Sequence, residues 1–170
     1  MKNIVVSAAA VAMLAACAST PEGAATASAH LAPASGSKVE GHLNFMQVGP
    51  NRVRVTGDVT GHPVGLGGFH IHEKGDCSAP DATSAGGHFN PKGAKHGATP
   101  AVGHTGDMGN LAFSDAGHAT VDITYEGLTL EPGAANSIIG KAVVVHAGPD
   151  DLKTDPAGNS GPRLACGVIE

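Results

Sequence analysis

The sequence predicts an all-β domain, an antiparallel sandwich or barrel of about seven or eight short strands. Three observations predict it. Turn residues are dense, with 25 glycines and 11 prolines in 170 residues, so long helices have little room. Apolar residues recur at every second position in several short runs, the period of a half-buried strand. The one helix-like stretch, residues 4–14, sits at the extreme N-terminus.

The strands follow in order. Val39, Gly41, Leu43, Phe45 and Gln47 share one face, with Glu40, His42 and Asn44 opposite. Gly49-Pro50-Asn51 turns the chain, and Val53, Val55, Gly57 and Val59 then alternate with Arg52, Arg54, Thr56 and Asp58. The two runs read as a hairpin with one wet face. Residues 68–73 alternate again, and residues 111–113 form a short run. Ala119, Val121, Ile123 and Tyr125 alternate with Thr120, Asp122 and Thr124. Residues 137–146 hold Ile138-Ile139 and Val143-Val144-Val145, a more fully buried strand, and residues 164–169 close the chain. Two long segments, 74–109 and 147–162, show no strand pattern. Loops of that length in compact domains are functional or disordered.

Residues 1–16 read as a secretory signal peptide: Lys2 supplies the charge, residues 4–14 the apolar core, and Ala15-Ala16 the small residues before a cut. Cys17 directly after Leu14-Ala15-Ala16 is similar to a bacterial lipobox, whose Cys is lipidated and becomes the mature N-terminus. That anchors the protein without spanning the membrane. Ala18 in the next position resembles the outer-membrane sorting class, so the expected location is the periplasm, lipid-anchored to the outer membrane. Residues 17–37, rich in Ala, Ser, Thr, Pro and Gly, read as a lipidated Cys plus flexible tether. Residues 38–170 form the domain. Net charge is −5 with no basic block, so no nucleic-acid partner is expected. No apolar run after residue 20 is long enough to span a bilayer.

Ten histidines and three cysteines carry the chemistry. His70 and His72 are i and i+2 on a strand and point to one face. His88, His96, His104 and Asp107 follow in the long loop, and His146 ends a strand. Imidazole suits copper and zinc, and a carboxylate can complete a zinc site. Seven ligand residues serve two four-coordinate metals if one imidazole uses both nitrogens. The spacing is compatible with such a bridged pair without establishing it. His30, His42, His62 and His118 read as surface or hydrogen-bonded residues, with His30 in the tether. Setting Cys17 aside leaves Cys77 and Cys166. In an exported chain a disulfide is the default; two thiolate metal ligands are the alternative.

Five stretches resemble the copper/zinc superoxide dismutases: Gly68-Phe69-His70-Ile71-His72-Glu73, Ser84-Ala85-Gly86-Gly87-His88-Phe89-Asn90-Pro91, His104-Thr105-Gly106-Asp107-Met108-Gly109-Asn110-Leu111, Ser137 to His146, and Gly161 to Ile169. The resemblance covers residues 38–170 in order, and the lipobox makes it similar to the bacterial exported form. It implies a Greek-key barrel whose two long loops are organised by metal. It also implies dismutation of two superoxide ions to oxygen and hydrogen peroxide by Cu(II)/Cu(I) cycling. One copper would be held by His70, His72, His88 and His146, and one zinc by His88, His96, His104 and Asp107. His88 would bridge the metals and deliver a proton, and Asp150 would link a copper His to a zinc His. Cys77 and Cys166 would form the intrasubunit disulfide, and Arg163 would orient the anion beside copper. The segment from His146 to Arg163 is shorter than in the common eukaryotic enzymes. Lys153 is the only cation inside it, so steering lysines go unassigned. An exported copper/zinc-binding or copper-delivery module without dismutase activity competes with the enzyme. His70, His72, His88, His146 and Arg163 together favour the enzyme, because a zinc module needs no such set. A lipid-anchored adhesin is disfavoured by the lack of an aromatic patch. The sequence leaves monomer and homodimer both open.

Overall fold

The computed structural model describes residues 23–170. Eight strands form one nearly closed antiparallel barrel. They are β1 (Thr26–Pro33), β2 (Glu40–Gly49), β3 (Arg52–Thr60), β4 (Gly65–His72), β5 (Asp107–Phe113), β6 (Ala119–Glu126), β7 (Ala142–His146) and β8 (Arg163–Val168). The lateral order is β5-β4-β7-β8-β1-β2-β3-β6. Neighbours β3–β6 and β4–β7 are distant in sequence, so the crossovers are those of a Greek key. Among the described residues no helix is long and apolar enough to cross a membrane.

Alternation places the core as expected. Leu43, Phe45, Val53, Val55 and Val59 are fully buried, and β7 is buried at every position. The hairpin register pairs Phe45 with Val55 and His42 with Asp58. Two expectations are corrected. Residues 26–33 are a strand and not tether: β1 pairs Ala29 with Leu43, His30 with His42, and Ala32 with Cys166. Its inward residues are Ala27, Ala29 and Leu31, so two of the three carry too little bulk to signal a strand in sequence. The small-residue composition thus runs on into β1, which begins at Thr26. The buried strand expected over 137–146 begins at Ala142, because Gly140 takes a left-handed conformation (φ 72°) and turns the chain there. The segments assigned to signal peptide and to Cys17 lie outside the described residues.

The two long loops, 73–106 and 147–162, are fastened by polar and covalent ties. Cys77 is disulfide-bonded to Cys166, 89 residues away. Closing a loop of that length stabilises the fold by about 4–5 kcal/mol on the chain-entropy account. Arg163 donates to the carbonyls of Ala82 (2.6 Å) and Gly86 (2.7 Å). The backbone N–H of His96 donates to Asp155 Oδ1 at 2.6 Å, joining one loop to the other. Asn110 on β5 exchanges two hydrogen bonds with the backbone of Asp150.

Candidate metal centre

Strand β4 fixes His70 and His72 on one side of the sheet, with Ile71 between them in the core. An isolated antiparallel bridge between His72 and His88 brings the first loop against β4. His146 arrives at the end of β7, whose Val145 pairs with Phe69. His96 and His104 come from the loop, and Asp107 opens β5. All seven residues are buried.

They gather into two tetrads that share His88: His70, His72, His88 and His146, and His88, His96, His104 and Asp107. In each tetrad one ligand atom per residue lies within 4.8 Å of every other. The hydrogen bonds dictate which atom that is. His70 Nε2 donates to Asp150 Oδ2 at 2.8 Å, leaving Nδ1 with a lone pair. His72 Nδ1 donates to the Gly86 carbonyl (2.9 Å) and His146 Nδ1 to the Gly161 carbonyl (3.0 Å), so both Nε2 atoms are bare. Anchoring one ring nitrogen to present the other is how ligating imidazoles are oriented.

The metal fit is tested by what these bare atoms meet. His70 Nδ1 and His88 Nε2 are buried with no hydrogen-bond partner, an arrangement that costs free energy unless a cation satisfies it. The bare Nε2 atoms of His72 and His146 face each other at 3.4 Å. Two lone pairs cannot hydrogen-bond, and 3.4 Å is about the edge of a tetrahedron with metal–nitrogen bonds of ~2.0–2.1 Å. In the other tetrad, Asp107 Oδ1 lies 2.8 Å from His88 Nδ1, 3.0 Å from His96 Nδ1 and 3.2 Å from His104 Nδ1. Asp107 Oδ2 accepts from the backbone of Gly97 and His104 (2.8 Å each), which aims Oδ1 at the three rings. A Cβ on Gly103 would stand 2.6 Å from the Gly97 nitrogen, so glycine there lets these two backbone strands meet around the carboxylate. The residues fit a copper-type nitrogen tetrad and a zinc-type three-imidazole, one-carboxylate tetrad.

Electrostatics keep the ligands deprotonated. Burial pushes His88 down to about 4 and His146 down to about 3. Burial, with the His88 and Arg163 charges nearby, takes His72 well below its ordinary value. Neutral imidazoles are the metal-binding form. Burial alone would raise the two carboxylates. Hydrogen bonds from His70 and His96 outweigh it at Asp150, and those from His88 and the Gly97 N–H outweigh it at Asp107, so both lie low. Asp150 bridges the tetrads, with Oδ1 2.8 Å from His96 Nε2.

Every predicted ligand is thus brought together, Asp150 stands between the tetrads, and Arg163 lies close enough to influence His72 and His146. Cys77 and Cys166 are joined to each other and ligate nothing. Two residues were not expected here. Asn110 locks Asp150, as above. His62 is buried, stacked on Phe113 with centroids 4.0 Å apart. Its Nε2 lies 2.9 Å from the His146 carbonyl, and its Nδ1 lies 2.6 Å from that of Pro63. A Cβ on Gly67 would stand 2.7 Å from His62 Nε2, so glycine makes room for the ring. That signal was present in sequence only as an unremarkable glycine.

Comparison with known proteins follows the same line. Residues 39–169 match the family model for copper/zinc superoxide dismutase. Two copper-zinc superoxide dismutases of Aquifex aeolicus are 51% and 50% identical over 105 and 106 residues, 59% and 60% of this chain. The matched region spans 61% and 63% of their lengths. A copper-zinc superoxide dismutase of Brassica juncea is 44% identical over 142 residues, covering 79% of this chain and 91% of that protein. Among solved structures, the crystal structure of the clock protein EA4 superposes with a TM-score of 0.75 and 39% identity. It covers 85% of this chain and 92% of that one.

Proposed function

Because the chain belongs to the copper/zinc superoxide dismutase family, we propose that it converts two superoxide ions to oxygen and hydrogen peroxide. The observation that carries this reading is the pair of tetrads hinged on His88, with ligand nitrogens left bare by their hydrogen bonds. Copper held by His70, His72, His88 and His146 supplies one-electron redox chemistry, and zinc held by His88, His96, His104 and Asp107 supplies a fixed charge with no redox step. The chain's own residues do the rest. Arg163, pinned by two carbonyls, presents a permanent positive charge beside the copper tetrad and orients the anion. Average charge opposes encounter, so this local field matters. His88, the ligand common to both tetrads, has a buried and unpartnered Nε2 that would accept a proton when freed from copper and return it to the peroxide being formed. Asp150 keeps the His70 and His96 rings in the tautomer that ligates.

The supporting experiment is metal content and dismutation rate on one purified preparation loaded with both metals. About one copper and one zinc per chain with a rate near the diffusion ceiling is the expected result. Both metals bound, with no rate above free copper, would leave a metal-binding module instead.

The reading extends to the cell envelope. Lys2, the apolar run and Leu14-Ala15-Ala16-Cys17 support export, signal cleavage after Ala16, lipidation of Cys17 and residence in the periplasm at the outer membrane. With β1 beginning at Thr26, the linker is only residues 18–25, which reaches at most about 28 Å when fully extended. The barrel would therefore ride close to the lipid surface. Cys17→Ser is expected to move the protein from the membrane to the soluble fraction; a variant still sedimenting with membranes would remove the anchor.

A further inference from the structure

We propose that His30, His42 and Asp58 form a third metal site, on the outer face of the barrel, that takes one exchangeable Zn(II) or Cu(II) ion, with His118 orienting Asp58. The four histidines outside the buried tetrads are not scattered. His62 lies under His146; His30 and His42 fall in one row across the neighbouring strands, and His118, just before β6, reaches Asp58 in that row. His30 on β1 is the in-register partner of His42 on β2. His42 is the in-register partner of Asp58 on β3, and Asp58 that of Thr120 on β6. In-register partners share a face, with Cβ atoms about 4.5–5.5 Å apart. The alternating residues Ala29, Leu43 and Val59 point into the core, so this row points out. His30, His42 and Asp58 are all exposed.

The middle imidazole thus has an imidazole on one side and a carboxylate on the other, one strand spacing away each. Neither His30 nor His42 makes a side-chain hydrogen bond among the described residues, so both rings are free to turn toward a shared ion. Asp58 is already oriented: His118 Nε2 donates to its Oδ1 at 2.9 Å, and Thr120 Oγ1 donates to the same atom at 3.0 Å. Both donors fall on Oδ1, which leaves Oδ2 without a hydrogen-bond donor among the described residues and available to an ion. A ligating carboxylate held by a neighbouring imidazole is a recurrent support for metal sites. The local charge suits a cation. One pleat repeat along the same face are Ser28, Ala32, Glu40, Asn44, Thr56, Thr60, His118 and Asp122, with no Lys or Arg among them; Asp122 is paired with Arg54, so Glu40 and Asp58 supply the negative charge. Two imidazoles and a carboxylate, with water in the remaining position, form a donor set for zinc or copper(II). Because the row is exposed, the ion exchanges with solvent, unlike ions in the buried tetrads. The site lies on β1, β2 and β3, whereas the tetrads lie on β4, β5, β7 and the loops, so the two are independent in structure and in test.

The test uses the full chain with its buried copper and zinc already loaded. Equilibrium dialysis against micromolar Zn²⁺ is expected to add one further zinc per chain. Imidazole ¹⁵N resonances of His30 and His42 should shift with that addition. His42→Gln and His30→Gln should each weaken the added zinc at least tenfold, and His118→Gln by less, with dismutation unchanged in all three. No third equivalent would overturn the proposal. So would a third equivalent that binds His42→Gln as tightly as the parent, or that leaves the His30 and His42 resonances unmoved.

Discussion

Asp150 is the residue whose removal discriminates best between a metal centre and a merely buried polar cluster. Its carboxylate is fully buried and lies 2.8 Å from a ring nitrogen of His70 and 2.8 Å from one of His96. Asp150→Ala deletes both acceptors at once. The two rings then respond differently. His70 sits on β4, paired on both sides by β5 and β7, and sterics hold it in place. His96 rides on the loop, where its backbone tie is to Asp155. Without Asp150 its ring is free to rotate or to move its proton to Nδ1, the atom that faces Asp107. A charge-assisted hydrogen bond contributes about 1.5–3 kcal/mol, which is about a 10–100-fold change in an equilibrium constant. Outer-shell partners of metal-bound histidines show a loss of the same order. The expected result is a 10–100-fold loss of zinc affinity and a smaller loss of copper affinity. Competition against chelators for each metal separately would measure it. Zinc affinity within twofold of the parent would refute the claim that Asp150 acts by holding His96.

Other outcomes follow from the same geometry. Arg163→Ala should keep both metals, lower the dismutation rate about tenfold, the low end for a focused field, and flatten its dependence on ionic strength; an unchanged rate across salt would remove the guidance role. Cys77→Ala with Cys166→Ala should lower the unfolding free energy by about 4–5 kcal/mol in urea. It should also loosen the Ala82 and Gly86 carbonyls that hold Arg163. The metal-free protein should lose stability as pH falls from about 6.5 to 4. His88 has a folded pKa of about 4 against ~6.5 unfolded, so the unfolded chain binds more protons in that window and stability rises with pH. Across about 2.5 pH units at ~1.4 kcal/mol each, His88 alone removes roughly 3 kcal/mol. Urea midpoints at pH 7 and pH 4.5 that coincide would contradict it.

Strands whose inward positions carry Leu, Phe or Val were legible by alternation, as in β2 and β3. Strand β1 was not, because Ala27 and Ala29 contribute little area. What makes them core is the pair of neighbours, β2 and β8, that sequence periodicity cannot see. The ligands were legible as a His-x-His on a strand followed by histidines in a patternless loop. Their partition into two tetrads was legible through family resemblance and not through spacing, since it depends on how the loop folds back to bridge His72 with His88. His62 was illegible for a similar reason: its two carbonyl contacts and the vacancy above Gly67 are long-range or backbone properties.

The loops were conspicuous in sequence because they lack apolar period, and the structure gives the physical reason. Their interior is filled by imidazoles and carboxylates that bind one another through hydrogen bonds, and four of the seven ligands, three of them on strands, bond a ring nitrogen to a backbone carbonyl or carboxylate of one of the two loops. A segment held this way gains little from burial alone and is strongest when its bare nitrogens are satisfied. Metal binding and loop order are therefore one free-energy term. Any substitution that weakens the tetrads, Asp150→Ala included, should also raise amide hydrogen exchange across residues 73–106 and 147–162 while leaving β2, β3 and β6 protected. Exchange that rises uniformly over the barrel would show instead that the loops and the sheet unfold as a single unit.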